Sequence, residues 1–260
     1  MADVALITGA SGGLGAEFAK LFAADGHDLV LVARRRERLA ALAADLGARH
    51  GVSAHVVVAD LADPEGVAQV ISEVDRLGLA ITYLVNNAGF GSNGPFADAD
   101  QARELAMVQV NDAAPLALTR ALLPAMVHRR RGRILNIGST AGFQPGPYMA
   151  TYYASKAFLN SFSEALSCEV RATGVSVTLS CPGTTATEFA AVAGSHKSRL
   201  ERLAHAEPAA VAREAYEAMM AGRPLVVHGR ANRVGVQLLR LAPRSAMRAV
   251  VAFINRPRRS

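Results

Sequence analysis

The sequence predicts an α/β fold, a single doubly wound domain of about seven parallel strands with helices on both faces. Short β-branched runs recur at Val4 to Thr8, Leu29 to Ala33, His55 to Ala59, Ile81 to Asn86, Arg133 to Gly138, Val175 to Cys181 and Leu225 to His228. Several are apolar at consecutive positions, the pattern of strands buried on both faces. The intervening stretches have helical spacing, as in Leu14, Phe18, Leu21 and Phe22, and strand alternating with helix builds a parallel sheet. At 260 residues the chain lies near the upper limit that one core serves, so one domain suffices. An apolar content of 51% with 19% charged residues excludes a disordered chain, and 22 glycines without a three-residue period exclude a collagen-like one.

Two cysteines, Cys168 and Cys181, cannot form a disulfide framework and read as small buried apolar residues. The stretch from Met1 to Ile7 lacks the basic flank and length of a signal peptide, so a reducing cytoplasm is expected. No run approaches the roughly 20 apolar residues of a membrane span. His27, His50, His55, His128, His196, His205 and His228 show no ligand spacing, and no metal is expected. The net charge of +6 is concentrated in a basic extension, 230–260, appended to the body of the domain, 1–229. That extension holds eight arginines and no acid, while the rest of the chain holds 20 basic and 22 acidic side chains. Arg240, Arg244 and Arg248 recur among Leu238, Leu241, Val250 and Phe253, with Pro243 interrupting any continuous helix. Such a pattern suits contact with acidic lipid or an acidic partner, subunit packing, or a terminal cap. No nucleic acid is expected. Gly194-Ser195-His196-Lys197-Ser198 reads as a surface loop.

The first strand runs into Thr8-Gly9-Ala10-Ser11-Gly12-Gly13-Leu14-Gly15, which opens the first helix. Glycines let a pyrophosphate approach unshielded amides, and a helix N-terminus favours the anion, so a phosphate-bearing nucleotide is the natural ligand. The same residues also satisfy G-x-S-x-G, which would make Ser11 the nucleophile of a serine hydrolase. That elbow normally follows several strands, and only ten residues precede Ser11. After the second strand the chain reads Ala33-Arg34-Arg35-Arg36, where an NAD site would carry an acid. Three cations at a helix N-terminus oppose its dipole, and a bound 2′-phosphate would resolve the conflict. A solvated charge cluster is the alternative.

Tyr152 and Lys156 stand at i and i+4 of a helical stretch and project from one face, about 6 Å apart along the axis. At that distance and an effective dielectric of ~20, the lysine charge is worth ~2.8 kcal/mol, about two of the roughly 2 to 3 pKa units a phenol must lose to exchange protons near neutrality. An aromatic beside a snorkelling lysine is the structural alternative.

The ordered set of motifs resembles the short-chain dehydrogenase/reductase family over essentially the whole chain. It comprises the Thr8–Gly15 turn, Asp60, Asn86-Asn87-Ala88-Gly89, Asn111, Ser139, Tyr152-x-x-x-Lys156 and Pro182-Gly183-x-x-x-Thr187. The resemblance implies a Rossmann fold and an NADP(H)-dependent, metal-independent exchange of hydride between nicotinamide and a ketone or secondary alcohol, with NAD(H) less favoured. It implies that Tyr152 is the general acid, that Lys156 holds the nicotinamide ribose and lowers the phenol pKa, and that Ser139 donates to the substrate oxygen. Asn111 would kink its helix and hold a water leading to Lys156. Cofactor contacts are implied for Gly9, Ser11, Gly13, Leu14, Gly15, Arg34, Arg35, Asp60, Leu61, Asn87, Ala88, Gly89, Pro182, Gly183, Thr185 and Thr187. Asp60 and Ser139 as strand-end caps, Asn111 as a helix-interior polar residue and Thr187 as an N-cap also have ordinary structural readings.

Gly12 replaces the basic residue that many NADP-using members carry in the turn, so phosphate selectivity falls to Arg34 and Arg35. Ala33-Arg34-Arg35 and Phe143-Gln144-Pro145-Gly146-Pro147 resemble the broad-substrate branch near hydroxysteroid and 3-oxoacyl reductases. The segment Thr185 to Leu203, a substrate-covering flap in relatives, carries no recognisable substrate-binding group. A homodimer or homotetramer is implied by the apolar faces of the helices after Asn111 and at Tyr152. A sensor that binds NADP(H) and catalyses nothing is the rival from a different class.

Overall fold

Seven strands form where the β-branched runs place them, in a computed structural model that describes residues 2–194, 206–239 and 241–257. They are β1 (Val4–Thr8), β2 (Asp28–Ala33), β3 (Ala54–Val58), β4 (Ile81–Asn86), β5 (Gly132–Ile137), β6 (Val175–Cys181) and β7 (Leu225–Val227). All pair in parallel in the order β3-β2-β1-β4-β5-β6-β7. The segment 195–198, expected as a surface loop, lies outside the described residues, as do His196, His205 and Arg240.

The period of two along each strand sorts its side chains onto two faces. Leu6, Val30, Val57, Leu84, Ile134 and Val177 face one helical layer, built from α3 (Gly66–Arg76), α5 (Ala114–His128) and α6 (Ala150–Glu169). Ile7, Leu29, Leu31, Val85, Leu135 and Ile137 face the other, where α1 (Gly13–Ala24), α2 (Arg36–His50) and α8 (Pro208–Met220) pack through Phe18, Phe22, Leu39 and Met219. This is a doubly wound Rossmann fold. The chain order reverses between β1 and β4, which opens a crevice at the carboxyl ends of the strands.

Among the described residues, four α-helices lie outside these layers. The short α4 (Gln101–Val108) runs into α5 through a π-helical stretch, Gln109–Ala113, and α7 (Phe189–Ala193) follows the loop after β6. The basic extension forms α9 (Arg230–Leu239) and α10 (Arg244–Asn255), with Pro243 as the N-cap of α10. No helix among the described residues is long and apolar enough to cross a membrane, and no cluster among them could hold a metal. Cys181 is buried as expected, whereas Cys168 is exposed because it falls on the outer face of α6.

Candidate active site

The glycine turn and the end of β4 are locked to each other at the crevice. The Thr8 hydroxyl donates to the Val85 carbonyl at 3.3 Å and accepts the amides of Asn87 and Ala88, each at 3.0 Å. Asn87 Nδ2 returns a hydrogen bond to the Thr8 carbonyl at 2.8 Å. This closeness demands glycine: a Cβ on Gly9, whose φ is +67°, would lie 2.7 Å from Asn87 Nδ2. One on Gly15 would meet the Gly9 carbonyl oxygen at 2.3 Å. Gly12 stands at the N-cap of α1 with no side chain capping the helix, so its first amides, Leu14 included, face the crevice unshielded. The turn therefore fits the pyrophosphate of a dinucleotide.

Beside it, Arg34 lies 3.7 Å from Asp60, whose other oxygen accepts the Ala62 amide, and Leu61 is buried beneath. Arg35 turns instead toward the glycine turn, donating to the Ser11 hydroxyl at 3.0 Å and the Ser11 carbonyl at 3.1 Å. The hydrolase alternative fails here: the partner of Ser11 is a guanidinium, which has no lone pair to take a proton. Arg35 and Arg38 also share the carboxylate of Glu188, each at 2.8 Å. Those two guanidiniums, Arg38 foremost, hold the Glu188 carboxyl below the usual range. Arg38 was legible only as an i+3 neighbour of Arg35. Glu188, 150 residues beyond it, carried no sequence signal.

At the far side of the crevice α6 presents Tyr152 and Lys156 one turn apart, with Lys156 Nζ 5.9 Å from the centre of the Tyr152 ring. The amine donates to the Ile137 carbonyl at 2.8 Å, and burial lowers its pKa to about 8 against the opposing charge of Asp112. Burial also pushes the Tyr152 phenol above the ordinary tyrosine value, with hydrogen bonding to Ser139 acting the other way. Desolvation is the largest influence on the phenol, and the downward pull expected from Lys156 is not among the causes of its shift in the protein alone.

Ser139 follows β5 and caps a 3-10 turn, Thr140–Phe143, accepting the Ala141 amide at 3.0 Å. Its carbonyl accepts Asn160 Nδ2 at 3.1 Å. Asn160 continues the Tyr152, Lys156 stripe by one more turn, a spacing visible in the sequence but not singled out there. Asn111 is wholly buried in the π-helical stretch. Its amide brackets Phe90, accepting that residue's N–H at 3.1 Å and donating to its carbonyl at 3.0 Å, and it also donates to Ser155. Gly89 is thereby held where a Cβ would lie 3.6 Å from Lys156 Nζ.

Gly9, Gly13, Leu14, Arg35, Asn87, Ala88, Gly89, Ser139, Tyr152 and Lys156 share a cavity of about 540 Å³, which Pro182, Gly183, Thr185 and Thr187 also line, whereas Ser11, Gly15, Arg34, Asp60, Leu61 and Asn111 are not part of its lining. Thr187 packs against Gly13, where a Cβ would lie 3.4 Å from its methyl group. Sequence reasoning missed the outer wall, which comes from the extension: Val236 and Leu239 of α9, and Val251 and Ile254 of α10. Buried polar residues anchor both helices. His228 lies between Ser180 and Glu214, 2.8 Å from each, and Arg233 of α9 pairs with the same glutamate. Although Ser180, His228 and Glu214 have the order of a catalytic triad, Ser180 is wholly buried in β6 and out of reach of substrate.

Asn255, also fully buried, donates to the Pro147 carbonyl at 3.2 Å, accepts the Tyr153 hydroxyl at 3.4 Å and receives Asn93 Nδ2 on its own carbonyl. Asn255→Ala strands two of these partners and is expected to destabilise the protein by about 1–3 kcal/mol. Urea denaturation measures this, and an unmoved midpoint rejects the anchor.

Comparison with known proteins agrees with this geometry. The short chain dehydrogenase family model matches residues 3–198. Sulfoacetaldehyde reductase 2 of Chromohalobacter salexigens is 36% identical over 245 residues, covering 93% of this chain and 96% of its own. A short-chain dehydrogenase from Sphingobium yanoikuyae, solved with NADPH, superposes with a TM-score of 0.83 at 32% identity, covering 99% and 98% of the two chains. A 7beta-hydroxysteroid dehydrogenase structure superposes with a TM-score of 0.86 at 27% identity, over 96% of each chain. The glycine turn at the reversal of strand order, the Tyr152 and Lys156 pair facing it, and these likenesses together make the chain a member of the short-chain dehydrogenase family, an oxidoreductase that uses a nicotinamide cofactor.

Proposed function

We propose that the protein moves hydride between NADP(H) and an apolar ketone or secondary alcohol, with Tyr152 as the acid or base and no metal. The observation that carries this reading is the convergence of Ser139, Tyr152 and Lys156 in one cavity with the uncapped glycine turn. The cofactor, when bound, supplies or accepts the hydride. Tyr152 gives its proton to the carbonyl oxygen, Ser139 donates a second hydrogen bond to that oxygen, and Lys156 places a cation beneath both. Asn111 acts at one remove, by holding Phe90 and Gly89 against Lys156.

Arg34, Arg35 and Arg38 follow β2 with no acid at its end, which supports NADP(H) over NAD(H). The substrate half is walled by Met149, Phe189, Val192, Val236, Leu239, Val251 and Ile254. Among the described lining residues, the cations are Arg35 at the cofactor end and Lys156 beneath Tyr152. That wall suits a hydrophobic carbonyl better than a sulfonate-bearing aldehyde. Leu105, Val108, Leu116 and Phe158, on α4, α5 and α6, are exposed large apolar side chains and support self-association through these helices. The outer face of α10 presents Val250 and Phe253 beside Arg244 and Arg248, which suits an anionic surface.

A carbonyl panel containing bulky apolar ketones and sulfoacetaldehyde, followed by nicotinamide absorbance with NADPH and NADH in parallel, tests the reading. Faster oxidation of NADPH on the apolar ketones is expected. NADPH binding without turnover on any member of the panel would establish the sensor instead.

A further inference from the structure

Glu188 stands across the mouth of the cavity from the glycine turn and is grasped by two arginines, one on each carboxylate oxygen, at 2.8 Å. Arg35 simultaneously holds Ser11, so turn, arginines and glutamate form one connected unit. The unit lies directly over Gly12: a Cβ there would be 3.0 Å from Arg35 Nη2, 3.8 Å from Glu188 Oε2 and 3.9 Å from Arg38 Nη1. Glu188 immediately follows Thr187, whose methyl group packs on Gly13, so the clasp also ties the loop after β6 to the turn.

A carboxylate and a phosphate monoester satisfy guanidinium donors in the same way, through oxygens that accept two N–H groups side by side. The Arg35 and Arg38 donors that hold Glu188 are unavailable to a second anion until the carboxylate leaves. We propose that Glu188 is a specificity-determining residue, an internal anion that competes with the nucleotide 2′-phosphate for Arg35 and Arg38. The inference rests on the NADP(H) reading above and deepens it. A nucleotide without a 2′-phosphate leaves the clasp closed; one that carries it takes over the arginine donors and frees Glu188 and the loop behind it. Both ion pairs are about half exposed, which keeps the competition modest in size and reversible.

The experiment measures affinities of 2′,5′-ADP and 5′-AMP by calorimetry for the full chain and for Glu188→Gln and Arg35→Ala, at one fixed salt concentration. Glu188→Gln is expected to tighten 2′,5′-ADP about three- to tenfold and to leave 5′-AMP unchanged. A residue that merely shaped the loop would move both nucleotides together. Weaker 2′,5′-ADP binding, an unchanged ratio, or equal tightening of both nucleotides would overturn the inference while leaving the cofactor reading intact. Arg35→Ala is expected to erase the preference for 2′,5′-ADP. If the unaltered protein binds the two nucleotides alike and Arg35→Ala changes neither, the cofactor reading itself fails, and the inference with it.

Discussion

Replacing Tyr152 by phenylalanine is expected to lower ketone reduction about 10³-fold while NADPH affinity stays within about twofold. The substitution removes one hydroxyl and keeps the ring, which packs 5.0 Å from Phe189 and 6.1 Å from Tyr153 between ring centres. The cavity wall therefore survives, and the loss isolates proton transfer. The unaltered enzyme should show the matching pH dependence. Because burial raises the phenol pKa, Tyr152 holds its proton across neutral pH, ready for reduction. Alcohol oxidation needs the phenolate, so its rate should climb as pH rises while reduction stays level through neutrality. Stopped-flow measurement of both directions with the best ketone and alcohol of the panel decides the matter. Retained turnover in the phenylalanine variant would remove Tyr152 from its assigned role.

Lys156→Met should abolish reduction and yet make the protein more stable at pH 7. Burial lowers the Lys156 pKa from its ordinary 10.5 to about 8. Between those values the unfolded chain binds more protons than the folded one, so stability rises with pH across that window. Below about 8 the ammonium is present in both states and its burial penalty is felt in full, roughly 3 kcal/mol. Methionine fills similar space without the charge, but forfeits the hydrogen bond to Ile137, worth ~1 kcal/mol. The net expectation is a gain of about 2 kcal/mol at pH 7 that fades as the medium approaches pH 10. Urea denaturation at both pH values reads it. Equal destabilisation at both would show that Lys156 is a packing element rather than a buried charge retained for function.

Much of the fold could be read directly because its signals are local. A strand buried on both faces needs consecutive apolar residues, as from Leu29 to Val32, whatever lies next to it. Gly15 is required by the tightness of its own turn, where a Cβ would meet the Gly9 carbonyl oxygen, and the i, i+4 spacing alone places Tyr152 and Lys156 on one side of α6. Reading the site was harder wherever a partner is distant in sequence. Asn160 lay on the stripe already identified, yet its hold on the Ser139 carbonyl depends on α6 packing against the end of β5. The arginines after β2 suggested an anion, but not that one is built into the chain at Glu188.

From residue order alone came the number and placement of the strands, the glycine turn and the pairing of Tyr152 with Lys156, since each is a matter of backbone period or neighbouring side chains. Tertiary packing alone decided that the basic extension walls the cavity through α9 and α10, that Asn255 ties its end down, and that burial raises the Tyr152 phenol. The reason is that water is excluded, and donors matched to acceptors, only when segments far apart along the chain close on one another.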